Sequence, residues 1–421
     1  MKKIWILSAV TTAFLMAQGD SLESLLESKK INSTTEKSFE DLFQVSLIVD
    51  GSYTTRQFDN EDEIEHLEIP GLVHGGHGEE HEGHVHAPLD GNEGFTFNYA
   101  ELHFGTQTDL MDFSGNFHIT KDMFEVEELF GVTRGLPYSL SLKVGKFRSD
   151  FGYLNNKHEH SYNFFEIPLI YNALLGYHAL LEEGAQLQYV LSTPYYMMVG
   201  FEAFRGENEQ SFGYEGFMEG MSDVDYPSLY VSYLKTSIDI GGGTLLAGVS
   251  YAKGHTRLDH LEDEEEPHAF AGDTKLYGTD LVYKYYFAAE KAISFQGEYL
   301  YRKMDGIKYG EGALAEGDMR KKQAGFYGEF IYQHDKNWRT GVRYSGITQN
   351  DIFLNDIKSL QPDDMYITSM MLEYNFSEKS RLRLQYNYNS ALYTDEGEKN
   401  NKKEFILQYT HAFGAHGAHA F

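Results

Sequence analysis

The chain has 421 residues, no cysteine and a formal net charge of −29, from 35 basic and 64 acidic side chains. The lack of cysteine excludes disulfides and thiolate metal sites, and so negative a surface argues against nucleic acid as a partner. No stretch after the N-terminus approaches the roughly 20 apolar residues of a membrane helix. The length fits one large β-barrel as well as about two or three soluble domains.

The N-terminus has the pattern of a secretory signal. A basic start, Met1–Lys3, precedes the short apolar run Ile4–Leu15 and the small residue Ala17. This pattern predicts a signal peptide over residues 1–17, because the apolar run is too short to span a membrane. Residues 18–41 are then expected to form a periplasmic N-terminal segment. That segment is too short for the plug domain of an outer-membrane receptor.

From position 42 onward, apolar and polar side chains alternate in segments of about ten residues. In Arg381–Tyr388, for example, leucine and tyrosine alternate with arginine, glutamine and asparagine. A period of two gives a strand one apolar and one polar face. Arginine facing lipid near the membrane centre would cost about 2–4 kcal/mol, so the polar face must point into a lumen. The predicted strands are Leu42–Thr55, Phe95–Gly105, Leu110–Thr120, Phe124–Thr133, Tyr138–Arg148, Glu183–Ser192, Tyr195–Arg205, Pro227–Ser237, Thr244–Lys253, Lys275–Phe287, Ala292–Lys303, Lys322–Gln333, Trp338–Ile347, Met365–Phe376, Arg381–Tyr393 and Glu404–Phe413.

These segments predict an all-β fold, a transmembrane antiparallel β-barrel of about 16 strands over residues 42–413. Tight turns such as Ala288–Lys291 and His334–Asn337 alternate with longer acidic loops. Barrels of this kind have short periplasmic turns and long external loops. The expected location is therefore the outer membrane of a Gram-negative bacterium, with its lipid as a partner. Residues 414–421 would form a short periplasmic tail that contains histidine.

Charged side chains on the polar faces are expected to line a wet lumen of mixed charge. A barrel of this width leaves an aqueous channel unless something fills it. The predicted pore-lining residues are Lys143, Lys284, Arg302, Arg339, Arg343, Arg381, Arg383, Glu298, Glu329 and Glu373.

A histidine-rich stretch, the histidine loop (His74–His86), follows the first strand. Its five histidines alternate with glutamates and glycines. Imidazole and carboxylate suit Zn²⁺, and also Ni²⁺, Cu²⁺ and Co²⁺, so the pattern predicts metal capture by interchangeable ligand sets. The alternative is a solvated, low-complexity loop that binds metal only incidentally. The candidate ligands are His74, His77, His81, His84, His86, Glu79, Glu80 and Glu82.

The loop after the fifth strand is unusual because it is apolar over Tyr162–Gly176. An external loop gains nothing from exposed apolar side chains, so these need burial. The composition predicts that the loop folds into the barrel and narrows the lumen. The alternative is that it caps the barrel from outside.

The motifs of this region are Leu142–Gly152, Asn155–His160, Phe164–Leu169 and Leu181–Leu187. They resemble a family of proteobacterial outer-membrane barrels named zinc-regulated, TonB-dependent outer-membrane receptors or porin-like proteins. The resemblance implies an outer-membrane location and a link to zinc supply. His158 and His160 stand at alternate positions within the second motif. They are a candidate inner metal site or, alternatively, they hydrogen-bond the loop to the barrel wall.

Two functions remain open at this stage. The first is a porin-like channel or receptor for small solutes, with divalent metal, zinc above all, captured by the histidine loop. The second is a general or anion-selective diffusion porin, since the run from Val144 to Gly152 also resembles phosphate-selective porins. Neither requires a cofactor, because zinc would be bound or transported. No local nucleophile signature such as Gly-x-Ser-x-Gly is found, so the chain is not expected to be an enzyme. A homotrimer is left open.

Overall fold

The computed structural model describes residues 43–64, 67–72, 93–208, 210–213, 224–261, 268–394 and 396–414. Apart from Phe43, these belong to one unit, Gln44–Phe421. The expected signal peptide, the N-terminal segment, the histidine loop and the tail lie outside the described residues. No helix of the described chain is long and apolar enough to cross a membrane.

Strands dominate the described part of the chain. Their bounds are β1 (Phe43–Phe58), β2 (Gly94–Gln107), β3 (Met111–Ile119), β4 (Phe124–Thr133), β5 (Leu140–Arg148), β6 (Leu181–Val190), β7 (Tyr196–Phe204), β8 (Leu229–Ile240), β9 (Gly243–His260), β10 (His268–Ala288), β11 (Lys291–Gly310), β12 (Leu314–Gln333), β13 (Trp338–Leu354), β14 (Ile357–Ser359), β15 (Tyr366–Ser377), β16 (Ser380–Asn389) and β17 (Lys402–Gly414). The regular helical elements are the α-helix α1 (Leu169–Leu175) and the 3₁₀ turns Pro137–Ser139, Glu159–Ser161 and Glu311–Ala313.

The strands close into a transmembrane antiparallel barrel. β1 pairs with β2 and also with β17, which joins the two ends of the sheet. At this seam Asp50 is opposite Thr410, whose hydroxyl donates to the Asp50 carboxylate at 2.6 Å. Of the 17 described strands, β14 pairs only with the end of β13, and β13 continues the wall by pairing with β15. Sixteen strands therefore form the barrel, which confirms the predicted fold class.

The two faces of each strand differ as the alternation predicted. On β16, Leu384 is 48% exposed and Arg383 is 1% exposed, and on β17 Phe405 is 55% exposed and Glu404 is 3% exposed. Large apolar side chains left uncovered over a whole surface require a non-aqueous environment. The apolar face is therefore the outer, lipid-facing side of the wall, and the buried polar face is the inner side.

Strands β9–β13 extend further than the alternation predicted. β12 begins at Leu314 instead of Lys322, and β13 ends at Leu354 instead of Ile347. The added residues pair in the ladder, as Met319 does with Leu354. Beyond the membrane both faces of a strand meet water, so no period of two marks these ends. The predicted ends of these strands were wrong for that reason.

The largest buried apolar cluster contains residues of the connection between β5 and β6 together with residues of the wall strands. Ile170 and Tyr171 of this connection are fully buried, together with Leu300 of β11. Tyr171 stands edge-on to Tyr327 of β12, with ring centroids 6.3 Å apart. The wall residues in this cluster alternate with outward neighbours such as Tyr299, which is 44% exposed. The connection therefore packs against side chains of β11 and β12 that alternate with exposed apolar ones.

Candidate functional site

Residues 149–180, here called the β5–β6 segment, link two strands of the wall and contain α1. Pro168 directly precedes α1 in an extended conformation, and Gly176 follows the helix at φ 72°. Six of the seven residues of α1 are buried, and a helix that is apolar on nearly all sides needs surrounding protein. The segment is therefore held from several directions. Four sets of polar contacts, here called anchors, connect it to the wall.

Glu298 on β11 holds the beginning of the β5–β6 segment. Its carboxylate accepts hydrogen bonds from the backbone N–H groups of Tyr153 and Leu154, both at 2.9 Å. It also accepts one from the hydroxyl of Tyr171 at 2.8 Å. Gly152 has φ 65°, and a Cβ atom at this position would lie 2.3 Å from a carboxylate oxygen of Glu298. This close approach of backbone to carboxylate requires glycine.

Arg302, also on the inner face of β11, binds the end of α1. The side chain is 2% exposed, and its Nη1 donates to the carbonyl oxygens of Leu174 at 3.2 Å and Gln210 at 2.7 Å. Its Nη2 donates to Gln323 Oε1 at 2.6 Å. The C-terminal carbonyls of a helix carry partial negative charge, which favours a cation. Arg302 therefore contacts the segment rather than open solvent.

An ion-paired network on β13, β15 and β16 holds the middle of the segment. Arg383 Nη2 donates to the carbonyl oxygen of Tyr162 and to Glu373 Oε2, both at 2.8 Å. Arg339 donates to Glu373 Oε1 at 2.8 Å and to Asn163 Oδ1 at 2.6 Å. Buried charges are tolerated only when they are paired and hydrogen-bonded, and here both arginines share one carboxylate.

Glu166 is the acidic anchor of the segment. Arg343 donates to its carbonyl oxygen at 2.7 Å, while Asn387 and Gln385 donate to its carboxyl oxygens at 2.6 and 3.0 Å. Burial, followed by repulsion from the carboxylate of Glu404, raises the pKa of Glu166 to about 7. The side chain is 36% exposed, so water screens part of that repulsion. Glu166 therefore keeps its proton to a higher pH than an ordinary glutamate does.

The two histidines of the segment lie against glutamates of the wall. His158 Nε2 is 2.9 Å from Glu128 Oε2 on β4. Its Nδ1 is 3.5 Å from Glu101 Oε1 on β2 and 3.4 Å from Glu127 Oε2 on β4. His160 Nδ1 is 2.9 Å from Glu101 Oε2. The structure therefore brings the two predicted histidines together with three carboxylates.

The charge state of this cluster follows from its neighbours. Burial disfavours the charged form of His158, but the carboxylates of Glu101 and Glu127 outweigh it and raise the pKa of the imidazole well above its usual value. Without another cation, His158 is an ion-paired imidazolium, which is the structural alternative stated above. One ligand atom from each of Glu101, Glu127 and His158 lies within 4.8 Å of the others. The residues therefore also fit a metal ion.

Two cavities lie beside the segment, with volumes of about 400 Å³ and about 140 Å³. They share the lining residues Tyr153, Asn163 and Gln296. Four basic side chains contribute to their walls, namely Lys157, Lys284, Lys336 and Arg339. No carboxylate belongs to either lining among the described residues. The described linings of these two cavities are therefore basic, although the chain as a whole is acidic.

The predicted pore-lining residues lie on inner faces, between outward-facing neighbours. Six of them hydrogen-bond directly to the β5–β6 segment: Glu298, Arg302, Glu329, Arg339, Arg343 and Arg383. Glu373 bridges two of these arginines, and Lys284 lines the larger cavity. Arg381 donates to Thr410 at 3.2 Å, and Lys143 lies over the rings of Phe130 and Phe147. Most of the set therefore positions the segment.

Sequence reasoning missed Glu101, Glu127 and Glu128 as partners of the histidines. Glu127 and Glu128 are adjacent in β4, yet both are buried, at 4% and 7% exposure. The β3–β4 register shifts between Asn116 and Phe117, so that Glu127 is an extra residue on β4. Such a bulge lets two successive side chains face the same side. The interrupted alternation of Glu125–Glu128 was the available signal.

The closed wall with its apolar outer face defines a transmembrane β-barrel protein. No family model matches the chain. An Aquifex aeolicus (strain VF5) protein described as "Uncharacterized protein" is 43% identical over 404 residues, which are 95% of this chain and 84% of that protein. The chain belongs to the same family as this A. aeolicus protein.

Several solved structures resemble the barrel. The in-vitro folded OmpT of Vibrio cholerae in its trimer form has a TM-score of 0.49 and 11% identity, covering 89% of this chain and 100% of that one. The outer membrane channel DcaP of Acinetobacter baumannii has a TM-score of 0.49 and 11% identity, covering 88% of this chain and 97% of that one. An anion-selective porin from Comamonas acidovorans has a TM-score of 0.49 and 11% identity, covering 88% of this chain and 99% of that one. These scores and identities are too low to transfer a function.

Proposed function

We propose that the chain forms an outer-membrane channel for the passive diffusion of small solutes, with a lumen narrowed by the β5–β6 segment. This proposal rests on the positions of the wall residues that bind the segment. Glu101 on β2, Glu298 on β11 and Arg383 on β16 all bind it from inner faces. These strands are spread around a closed wall. A partner shared by strands so far apart supports an inward loop over a cap on the outside.

The cavities beside the segment favour anions as one solute class. Lys284, Lys336 and Arg339 line the larger cavity, and Lys157 the smaller one. In a confined space of low dielectric, charges of one sign raise the local concentration of the opposite ion. The basic linings thus support the anion-selective alternative.

Divalent metal, zinc above all, is the other solute class. This part of the proposal rests on the sequence of the histidine loop, which contains many imidazole and carboxylate groups. An acidic, histidine-rich outer mouth would concentrate metal ions before they enter the lumen. Membership in the zinc-regulated receptor family belongs to this proposal, and it rests on the motifs within residues 142–187.

The setting of the channel follows from the lipid-facing surface and the N-terminal pattern. The apolar outer face of the wall and the signal-peptide pattern of residues 1–17 support the outer membrane of a Gram-negative bacterium. A homotrimer and the absence of enzymatic activity stay predictions. Chemical cross-linking in native membranes tests the trimer.

Recording of the refolded full-length barrel in a planar bilayer tests the proposed function. Steady opening is expected, and a barrel without conductance would contradict a diffusion channel. The reversal potential in a KCl gradient then separates the solute classes, because its sign shows whether chloride or potassium carries most of the current. Zinc capture predicts that micromolar Zn²⁺ alters the current in the intact chain and not after deletion of Gly71–Pro88.

A further inference from the structure

Three atoms from three separate elements surround one point at the edge of the β5–β6 segment. Glu101 Oε1 belongs to β2, Glu127 Oε2 to β4, and His158 Nδ1 to the segment itself. The imidazole nitrogen is 3.5 and 3.4 Å from the two oxygens. A tetrahedral Zn²⁺ site with metal–ligand bonds of about 2.0–2.2 Å has ligand–ligand edges of about 3.3–3.6 Å. Two edges of such a site are therefore already in place.

The remaining polar atoms of these ligands are fixed by neighbours. His158 Nε2 lies 2.9 Å from Glu128 Oε2, and Glu101 Oε2 lies 2.9 Å from His160 Nδ1. Arg148 donates to Glu127 Oε1. A carboxylate on the far nitrogen of a metal-binding histidine fixes the tautomer and orients the ring. Each ligand is therefore held with one atom directed at the common point.

A second observation points to a cation at this position. Glu127 is 4% exposed, and its Oε2 atom accepts no hydrogen bond from the described residues. A buried carboxylate oxygen without a donor is costly. His158 Nδ1 lies 3.4 Å from this oxygen, a distance typical of two ligands of one ion rather than of a short hydrogen bond.

The charges balance with a divalent ion. Glu101, Glu127 and Glu128 contribute three negative charges, and Arg148 contributes one positive charge. A divalent cation bound beside a neutral His158 makes the buried group neutral, which lowers the cost of enclosing it.

We propose that Glu101, Glu127 and His158 bind a divalent transition-metal ion of the Zn²⁺ class, which fastens the β5–β6 segment to β2 and β4. One imidazole with two carboxylates suits Zn²⁺ and Co²⁺ better than Mg²⁺ or Ca²⁺, which prefer oxygen ligands alone. Water would complete the coordination. Such an ion is a resident of the wall and not a transported solute, so this proposal does not depend on the proposed function.

Metal binding by the folded full-length chain tests this site against the histidine loop. Chelator-treated barrel is titrated with Zn²⁺ by calorimetry, and bound metal is counted by mass spectrometry after dialysis. Glu127→Gln and His158→Gln are each expected to lose one bound equivalent, or at least tenfold in affinity for it. His178→Gln is the matched control, since it changes a histidine of the same segment outside the ligand set. Equal binding by all four chains would overturn the proposal.

Two further readouts keep the test decisive if a variant folds poorly. Co²⁺ bound to the unaltered chain is expected to show the intense visible absorption of a tetrahedral site, and this band should survive deletion of Gly71–Pro88. Zn²⁺ should raise the unfolding temperature of the intact chain and of His178→Gln, because it binds only the folded state. A band that disappears with the loop, together with an unchanged unfolding temperature, would overturn the site. Bilayer conductance is measured separately, so a chain that binds no metal at this site does not contradict the channel proposal.

Discussion

The guanidinium of Arg383 on β16 donates to the carbonyl oxygen of Tyr162 at 2.8 Å, across 221 positions of sequence. Arg383 also binds Glu373, which in turn binds Arg339. A side chain of a strand far away in sequence therefore holds the backbone of the β5–β6 segment. Charged side chains of the wall strands position this segment.

Replacement of Arg383 should weaken the barrel much more than replacement of Arg381. In Arg383→Gln the segment loses a donor and the buried Glu373 loses one of two arginines, and breaking a buried pair costs about 3–5 kcal/mol. Arg381→Gln loses a hydrogen bond to Thr410, worth about 1 kcal/mol. Urea unfolding of both variants in lipid checks this, and equal losses of stability would contradict the anchoring role.

Gly152→Ala should displace the beginning of the segment, whereas Gly135→Ala should not. Both glycines have similar positive φ angles, 65° and 67°, so both substitutions carry the same backbone strain of about 1 kcal/mol. An added Cβ at Gly152 would collide with Glu298 and Tyr171, while at Gly135 nothing lies within 4 Å. We expect Gly152→Ala to cost a further 1–3 kcal/mol or so and to change the channel current. Unfolding and bilayer recording of the two variants provide the comparison, and identical behaviour would show that the contact with Glu298 is unimportant.

Stability should fall as the pH rises through the range in which Glu166 ionises. The pKa of Glu166 is raised to about 7 in the folded chain, from an ordinary value of 4.5. The folded state therefore holds more protons than the unfolded state between these values, and stability decreases with pH across that window. Glu166→Gln, which cannot ionise, should remove this part of the pH dependence. Thermal unfolding from pH 4 to pH 8 or so checks it, and an unchanged slope in the variant would exclude Glu166 as its source.

Reversal of charge in the larger cavity should move ion preference toward cations. Lys284→Glu combined with Lys336→Glu turns two basic lining residues acidic, and the local field changes sign with them. Lys121→Glu is the matched control, because its side chain is 85% exposed in the turn between β3 and β4. We expect a several-fold change in the chloride-to-potassium permeability ratio for the cavity variant alone. A ratio that stays constant would place these lysines outside the conduction path.

Much of the wall could be predicted from sequence because lipid imposes a strict period of two. Arg383 and Leu384 were assigned to opposite faces on this basis, and their exposures agree. The ends of β12 and β13 could not be predicted, since water on both faces imposes no pattern. Strand count was predictable, and the full length of β9–β13 was not.

The site was predictable only in part. His158 and His160 stood out through their spacing, but the bulge that turns both Glu127 and Glu128 inward leaves only a broken alternation in sequence. The pairing of Arg383 with Tyr162 depends on how the segment lies against strands far away in the chain, which no local pattern encodes. The ligands expected in the histidine loop remain a prediction.

Modification of a single introduced cysteine tests most directly that the β5–β6 segment lies in the conduction path. The chain has no cysteine of its own. Ser161→Cys therefore places one thiol in the lining of the smaller cavity, and Ser377→Cys places one at the exposed end of β15. A bulky charged thiol reagent should reduce the single-channel current of the first variant and leave the second and the unaltered chain unchanged. A full current in the first variant, with modification confirmed by mass spectrometry, would contradict a lumen narrowed by this segment.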